Sequence, residues 1–350
     1  MKTPFRIGLA IVLAISLASC VEQGGLKAGT ATGTSMLKLI PATSRIVFMV
    51  DVHRSVMAEA VQNALKDEKM KQKYDEFVKK AGIDPMKDVY FLAVALAGTP
   101  GGRSQEGAVV INLKYNKESL LARIKEQAKD LREDSYNGVT IYSGPAKPGS
   151  EGIVPSGAFL DDSNIVLGAD KTVRAVIDVY HKKTDSVDKS PEMKKLLKAV
   201  NTSANFWGVV AIPQEMVKQA AEKNPMLKDL VGLTGLTLSF DYANRNLVAE
   251  IQGLGGTKEQ NKSLADKLTG LKGMGTLVAD KQPLLGEILK TIEISSGADN
   301  VKIYASIPEE LLEKAQKMAQ DKLGGLVQIN PQAPKEEKKP ETKQGAEIKK

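Results

Sequence analysis

One thiol stands in 350 residues, and its neighbours decide what it could do. Cys20 follows Leu17-Ala18-Ser19, so the sulfur sits behind one aliphatic and two small residues. A single cysteine cannot form an intramolecular disulfide, and two histidines are too few for the usual His/Cys metal sites. His53 follows an apolar run that ends at Val52, near Asp51. His181, in Tyr180-His181-Lys182-Lys183, falls where a helix end favours a cation. Either could act as a general base beside an acid, but no Gly-x-Ser-x-Gly elbow, His-Glu-x-x-His or phosphate-loop motif accompanies them. Asp161-Asp162-Ser163-Asn164 is rich in oxygen ligands but lacks the alternation of a calcium loop, and reads as a hairpin turn. Gly253-Leu254-Gly255-Gly256 precedes a helix as a phosphate cradle would, yet no lysine motif completes it. The sequence therefore assigns no catalytic residue, no metal and no cofactor, and the expectation is a non-enzymatic body. A hydrolase built on His53 or His181 is the rival that a clustered acid and serine would favour.

The elements around Cys20 are more specific. Lys2 and Arg6 precede an apolar run at residues 7–17, which is too short to span a bilayer but suits the core of a secretory leader. Leader plus Leu17-Ala18-Ser19-Cys20 resembles the lipobox of bacterial lipoproteins. That resemblance implies cleavage between Ser19 and Cys20, a diacylglyceryl thioether on Cys20, and often acylation of the new amine. Two or more acyl chains hold a membrane stably, at about 0.8 kcal/mol per buried CH₂. The resemblance further implies a lipid-anchored protein of the cell envelope facing the periplasm. Val21, where the better-known inner-membrane proteins carry Asp, leans toward the outer membrane.

Composition fits a globular body. Hydrophobic residues are 42% and charged residues 26%, too polar for a multi-span membrane protein. The net charge of +7 misleads: the leader holds two basic residues and the tail at 330–350 has six Lys against four Glu, leaving the body near +3. With 5% aromatics and no basic stripe, nucleic-acid binding is not expected. The partners that remain are the membrane through Cys20 and an envelope protein or an apolar ligand.

Periodicity divides the chain into a leader at 1–19, a lipidated cysteine and flexible tether at 20–36, a first α+β unit at 37–145, a connecting hairpin and helices at 146–203, a second α+β unit at 204–329, and a disordered Lys/Glu/Pro tail at 330–350. In the first unit strands are expected at 45–52, 89–96, 108–115 and 139–142, with helices at 56–81 and 117–131. In the second, strands at 205–212, 236–242, 247–252 and 301–307 alternate with helices at 214–223, 258–271 and 282–291, and a last helix covers 309–323. Both units read β-α-β-β-α-β, so the expected fold is two ferredoxin-like units with mainly antiparallel sheets.

The strand faces differ between units. Leu236, Leu238, Phe240 and Tyr242 alternate with Thr237, Ser239 and Asp241, which predicts one buried apolar face and one wet polar face. The strands at 45–52 and 89–96 are apolar on both faces. The helices at 172–200 are the expected cover for the surplus face; the alternative is an apolar groove lined by Val47, Leu92 and Val94. Ile40-Pro41-Ala42 leading to Val50-Asp51, Gly82-Ile83-Asp84-Pro85, and Asp161-Asp162 leading to Val166-Leu167-Gly168 are similar to segments of uncharacterised secreted bacterial proteins. That similarity runs from about residue 40 to 172 and implies fold and location, with no activity attached.

Overall fold

The structure is a computed structural model that describes residues 27–29, 31–98, 106–146, 153–277, 279 and 282–326. The lipobox residues Leu17, Ala18, Ser19 and Cys20 and the tail beyond 326 lie outside the described residues.

Twelve strands form one sheet. In chain order they are β1 (Ile46–Asp51), β2 (Val89–Leu96), β3 (Gly107–Leu113), β4 (Arg132–Tyr136), β5 (Val139–Ser143), β6 (Pro155–Phe159), β7 (Asn164–Ala169), β8 (Phe206–Ala211), β9 (Leu233–Ala243), β10 (Asn246–Gly255), β11 (Ile292–Ser296) and β12 (Asn300–Pro308). Their spatial order is β11-β12-β10-β9-β8-β1-β2-β3-β7-β6-β5-β4, and every pairing is antiparallel.

The expected repeat is present in element order but builds something other than two ferredoxin-like units. In each half three strands step outward from the centre, helix carries the chain to the far edge, and strands step back in. The first half runs β1-β2-β3, then α6 (Lys117–Gln127), then β4 to β7, with β7 against β3. The second runs β8-β9-β10, then α10 (Lys258–Leu277) and α11 (Pro283–Lys290), then β11-β12, with β12 against β10. The halves join where β1 pairs with β8. A ferredoxin-like unit would separate β1 from β2, whereas here they pair directly, Phe48 opposite Val94. Helix between two strands permits either arrangement, so element order alone does not choose. The hairpin expected to connect two units, β6-β7, instead fills the sheet between β3 and β5.

Local sequence explains the element ends. Four short helices lead from β1 to β2: α2 (Val52–Met57), α3 (Glu59–Ala64), α4 (Glu68–Ala81) and α5 (Pro85–Asp88). Asp51 caps α2 through the Arg54 N–H, Asp67 caps α4 through Met70, and Gly82 ends α4 in the left-handed region that suits glycine. Asn137-Gly138 turns β4 into β5, both residues at positive φ, as a two-residue hairpin requires.

Two cores sandwich part of the sheet. On one face Val47, Met49, Val110, Val166, Trp207 and Val209 pack under α7 (Asp170–Tyr180) and α8 (Pro191–Ala199) through Val173, Val176, Ile177, Met193 and Leu196. The cover expected from the helices at 172–200 is thus in place on this face. The chain before β1 completes it. Helix α1 (Gly33–Met36) and the turn after it bury Met36, Leu37 and Ile40, so the segment expected to be tether as far as 36 is structured from Ala31. Thr32 and Ser35 form a reciprocal capping box there. Gly33 sits so close to Trp207 that a Cβ would lie 3.1 Å from its Nε1. On the opposite face Val52, Ala81, Leu92, Ile111, Leu120 and Ile165 form a second core, under α2, α4 and α6. No helix among the described residues is long and apolar enough to cross a membrane.

Candidate functional site

The three groove candidates do not meet. Val47 faces Ala95 across the β1-β2 pair and is fully buried in the first core. Leu92 and Val94 point to the other face, because they pair with Val50 and Phe48. Leu92 is buried in the second core, while Val94 is half-buried and belongs to neither. An odd offset in the register separates Val47 from its supposed partners, since side chains alternate faces along a strand.

Val94 belongs instead to an apolar strip across the middle of the second face. Across β2, β1, β8 and β9 it runs Val94, Phe48, Gly208 and Leu238 in one register row, with Leu92, Val50, Phe206 and Phe240 in the next. Phe48, Phe206, Leu238 and Phe240 are each half-buried and join neither core. Their rings form a continuous row: Phe48 stacks on Phe206 at 5.8 Å, and Phe206 meets Phe240 at 5.7 Å. Beyond Leu238, Ile251 on β10 is 39% exposed. The strip crosses the β1-β8 seam, so both halves build it.

Glycines let large side chains lie flat here. A Cβ on Gly208 would come 2.2 Å from Phe48 Cδ1, and one on Gly107 would come 2.4 Å from Leu96 Cδ2. Each large side chain therefore rests across the neighbouring strand where no side chain stands. The side chains of the strip carry no hydrogen-bonding group, and Phe48, Val94, Phe206, Leu238 and Phe240 remain half-buried. Arg54 bounds one end, its guanidinium donating to the Ser203 carbonyl and pairing with Asp241 at 3.4 Å.

The polarity expected for β9 is reversed. Thr237 and Ser239 are buried, whereas Leu236, Leu238 and Phe240 are half-buried. The reason is steric. The helix-covered face is paved with small residues, among them Ala93, Ala95, Ala108, Ala158, Gly235 and Thr237, so helices can approach closely. Leu196 of α8 comes within 2.6 Å of where a Gly235 Cβ would stand.

The remaining motif candidates are structural. Asp161 closes the β6-β7 turn, accepting from Ser163 N and Asn164 Nδ2 at 2.8 Å each. Burial pushes its carboxyl above the usual range, against the pull of those bonds. In the Gly253–Gly256 stretch, Gly255 N donates to Asp299 O and Gly256 N to Gly232 O, so these amides are spent within the fold. His53 lies against the Tyr90 ring at 5.7 Å and His181 against Tyr180 at 5.2 Å; neither joins the apolar strip. Among the described residues no cluster of His, Cys, Asp and Glu could hold a metal ion.

Fold and site together define an α+β protein with one large antiparallel sheet and a partly open apolar face. The chain belongs to the family described as "Protein of unknown function (DUF3352)", whose model matches residues 6–281. Among solved structures it is similar to TP0453 in crystal form III, at 11% identity, a TM-score of 0.44, and coverage of 81% of this chain and 97% of that one. Crystal form I of TP0453 gives 11% identity, a TM-score of 0.43, and coverage of 81% and 96%. No curated protein matches the chain.

Proposed function

We propose that this chain is a lipid-anchored protein of the bacterial cell envelope whose body binds an acyl chain on its apolar sheet face and catalyses no reaction. The lipobox at Leu17-Ala18-Ser19-Cys20 supports the anchor, and Val21 favours the outer membrane with the body facing the periplasm. The observation that carries the binding reading is the row Phe48, Phe206 and Phe240, half-buried and outside both cores. A flat strip without polar side chains matches an elongated molecule that offers no hydrogen bonds along its length. Acyl chains are the apolar molecules that a protein anchored at a bilayer meets first. A protein partner from the envelope is the other occupant such a face could take, and the test separates the two.

The mature chain is titrated with the fluorescent fatty acid cis-parinaric acid. Saturable binding is expected, weakened about tenfold in Phe206→Ser, which corresponds to roughly 1.4 kcal/mol. Absence of binding, or binding that Phe206→Ser leaves unchanged, overturns the acyl-chain reading and returns the strip to a protein partner.

A further inference from the structure

Strand register fixes which parts of the molecule share an end of the sheet. Val50 pairs with Leu92 and Phe206, Leu92 with Ile111, and Ile111 with Ile165, so β1 finishes where β2 begins and where the β6-β7 turn lies. On the other side Phe206 pairs with Phe240, Ala243 with Asn246, and Asn246 with Pro308, so the β9-β10 turn and the end of β12 lie at the same end. The N-terminal chain arrives there too. Ala28 N donates to Ser163 Oγ in the β6-β7 turn at 3.0 Å, and Gly29 sits against the Tyr90 ring near the start of β2. Seven residues separate Cys20 from Ala28, and the eight steps between the two reach at most about 28 Å.

This end also carries exposed large apolar side chains. Met57 and Met70 lie on the helices that link β1 to β2 there, 63% and 49% exposed. Helix α10 starts at the opposite end, after β10 finishes at Gly255, and its 20 residues carry the chain about 30 Å back. Its last turns expose Leu271, Met274 and Leu277, the last at 80%. There α11 packs against it: a Cβ on Gly275 would lie 2.9 Å from Leu289 Cδ1. Leu271, Met274 and Leu277 gather on one helix, and apolar side chains grouped in this way on a soluble surface mark a contact site.

We propose that this end of the body rests on the bilayer that holds the Cys20 lipid, with Met57 and Met70 on one side and Leu271, Met274 and Leu277 on the other entering the interfacial region. The occupant is the phospholipid surface. The short reach from Cys20 to Ala28 keeps this end close to that surface, and the helices lie in the interface without crossing it. The inference rests on the lipid-anchor reading, and its test is independent of how the cell processes Cys20.

The mature chain is coupled through Cys20, its sole cysteine, to a maleimide phospholipid in phosphatidylethanolamine–phosphatidylglycerol vesicles. The reference is the same chain blocked with N-ethylmaleimide in buffer. Peroxide oxidation of individual methionines is then followed by mass spectrometry. Met57, Met70 and Met274 are expected to oxidise several-fold more slowly on vesicles. Met216, on α9 (Gln214–Lys223) just after β8 finishes at the far end, keeps its rate. Unchanged rates at Met57 and Met274, or equal protection of Met216, overturn the proposal. The anchor itself is read separately, from the acylated mass of the N-terminal peptide of the protein isolated from its envelope; an unacylated peptide sinks the anchor and leaves the vesicle result standing.

Discussion

The Phe48 ring lies on Gly208 of the neighbouring strand, occupying the space where a side chain would begin: an added Cβ would stand 2.2 Å from Cδ1. This contact crosses the join between the two halves of the sheet on the apolar face, as the Phe48–Phe206 stack does, because Phe48 is on β1 and Gly208 and Phe206 are on β8. Gly208→Ala must lift or rotate the ring. A loss of about 1–3 kcal/mol is expected from overpacking, measured by urea unfolding. Adding Phe48→Ala should recover part of it, since the clash then has no partner, so the double variant should be less destabilised than the sum of the two singles.

Adjacent residues on β8 test which face is core. Trp207 is 1% exposed and packed under the helices, so Trp207→Ala should cost about 3–5 kcal/mol. Phe206 points the other way and is half-buried, so Phe206→Ala should cost about 1 kcal/mol. Comparable losses from the two would show that the strip is covered in solution.

The N-terminal segment separates tether from body. Met36 is fully buried in the first core although only three residues follow the start of its helix. Met36→Ala should lower stability by about 2–5 kcal/mol. An unchanged unfolding midpoint would return residues 31–36 to the tether.

Asp84 gives a pH-dependent test at the end of the sheet where β2 begins. Burial pushes its carboxyl up, but hydrogen bonds from Lys87, the Tyr74 hydroxyl and the Met86 N–H outweigh it and hold the carboxyl below the usual range. A depressed folded-state pKa contributes stability that is present above the unfolded value and lost as pH falls through the folded one. Asp84→Asn should therefore cost about 1 kcal/mol at pH 7, and the gap to the parent should narrow progressively as pH falls below about 4. A gap that stays constant as pH falls from about 7 to the acid-unfolding range would mean that the carboxylate charge is not what holds α4 to α5.

Much of the fold was legible in local sequence, and the misses have common physical causes. The span of β2, the helix at 214–223 and the Gly82 stop follow from periodicity and capping. The two strands that escape notice, β4 and β11, are the two edges of the sheet. Arg132-Glu133-Asp134-Ser135 is charged or polar because an edge faces water and resists further pairing, which erases the apolar alternation that marks a strand. The site was legible only in part. Alternation in β9 distinguishes two faces, but what covers a face is decided by α8 (Pro191–Ala199), which lies well upstream of β9 (Leu233–Ala243) in the chain. The usable signal was size. Small residues at 93, 95, 108, 158 and 235 mark the face that helices approach, and the large ones at 48, 206 and 240 mark the face left partly open. Val47, Leu92 and Val94 share hydrophobicity but not a face, because hydrophobicity does not carry register.

Site-mapped photo-crosslinking tests most directly whether the Phe48–Phe206–Phe240 row holds an acyl chain. The mature chain is irradiated with a fatty acid bearing a diazirine in mid-chain, and the adducts are located by peptide mass spectrometry. Adducts concentrated on Phe206, Leu238 and Phe240 of β8 and β9, and competed away by unlabelled fatty acid, are the predicted result. Adducts scattered over the surface, or confined to the helices of the opposite face around Val176 and Leu196, would contradict it.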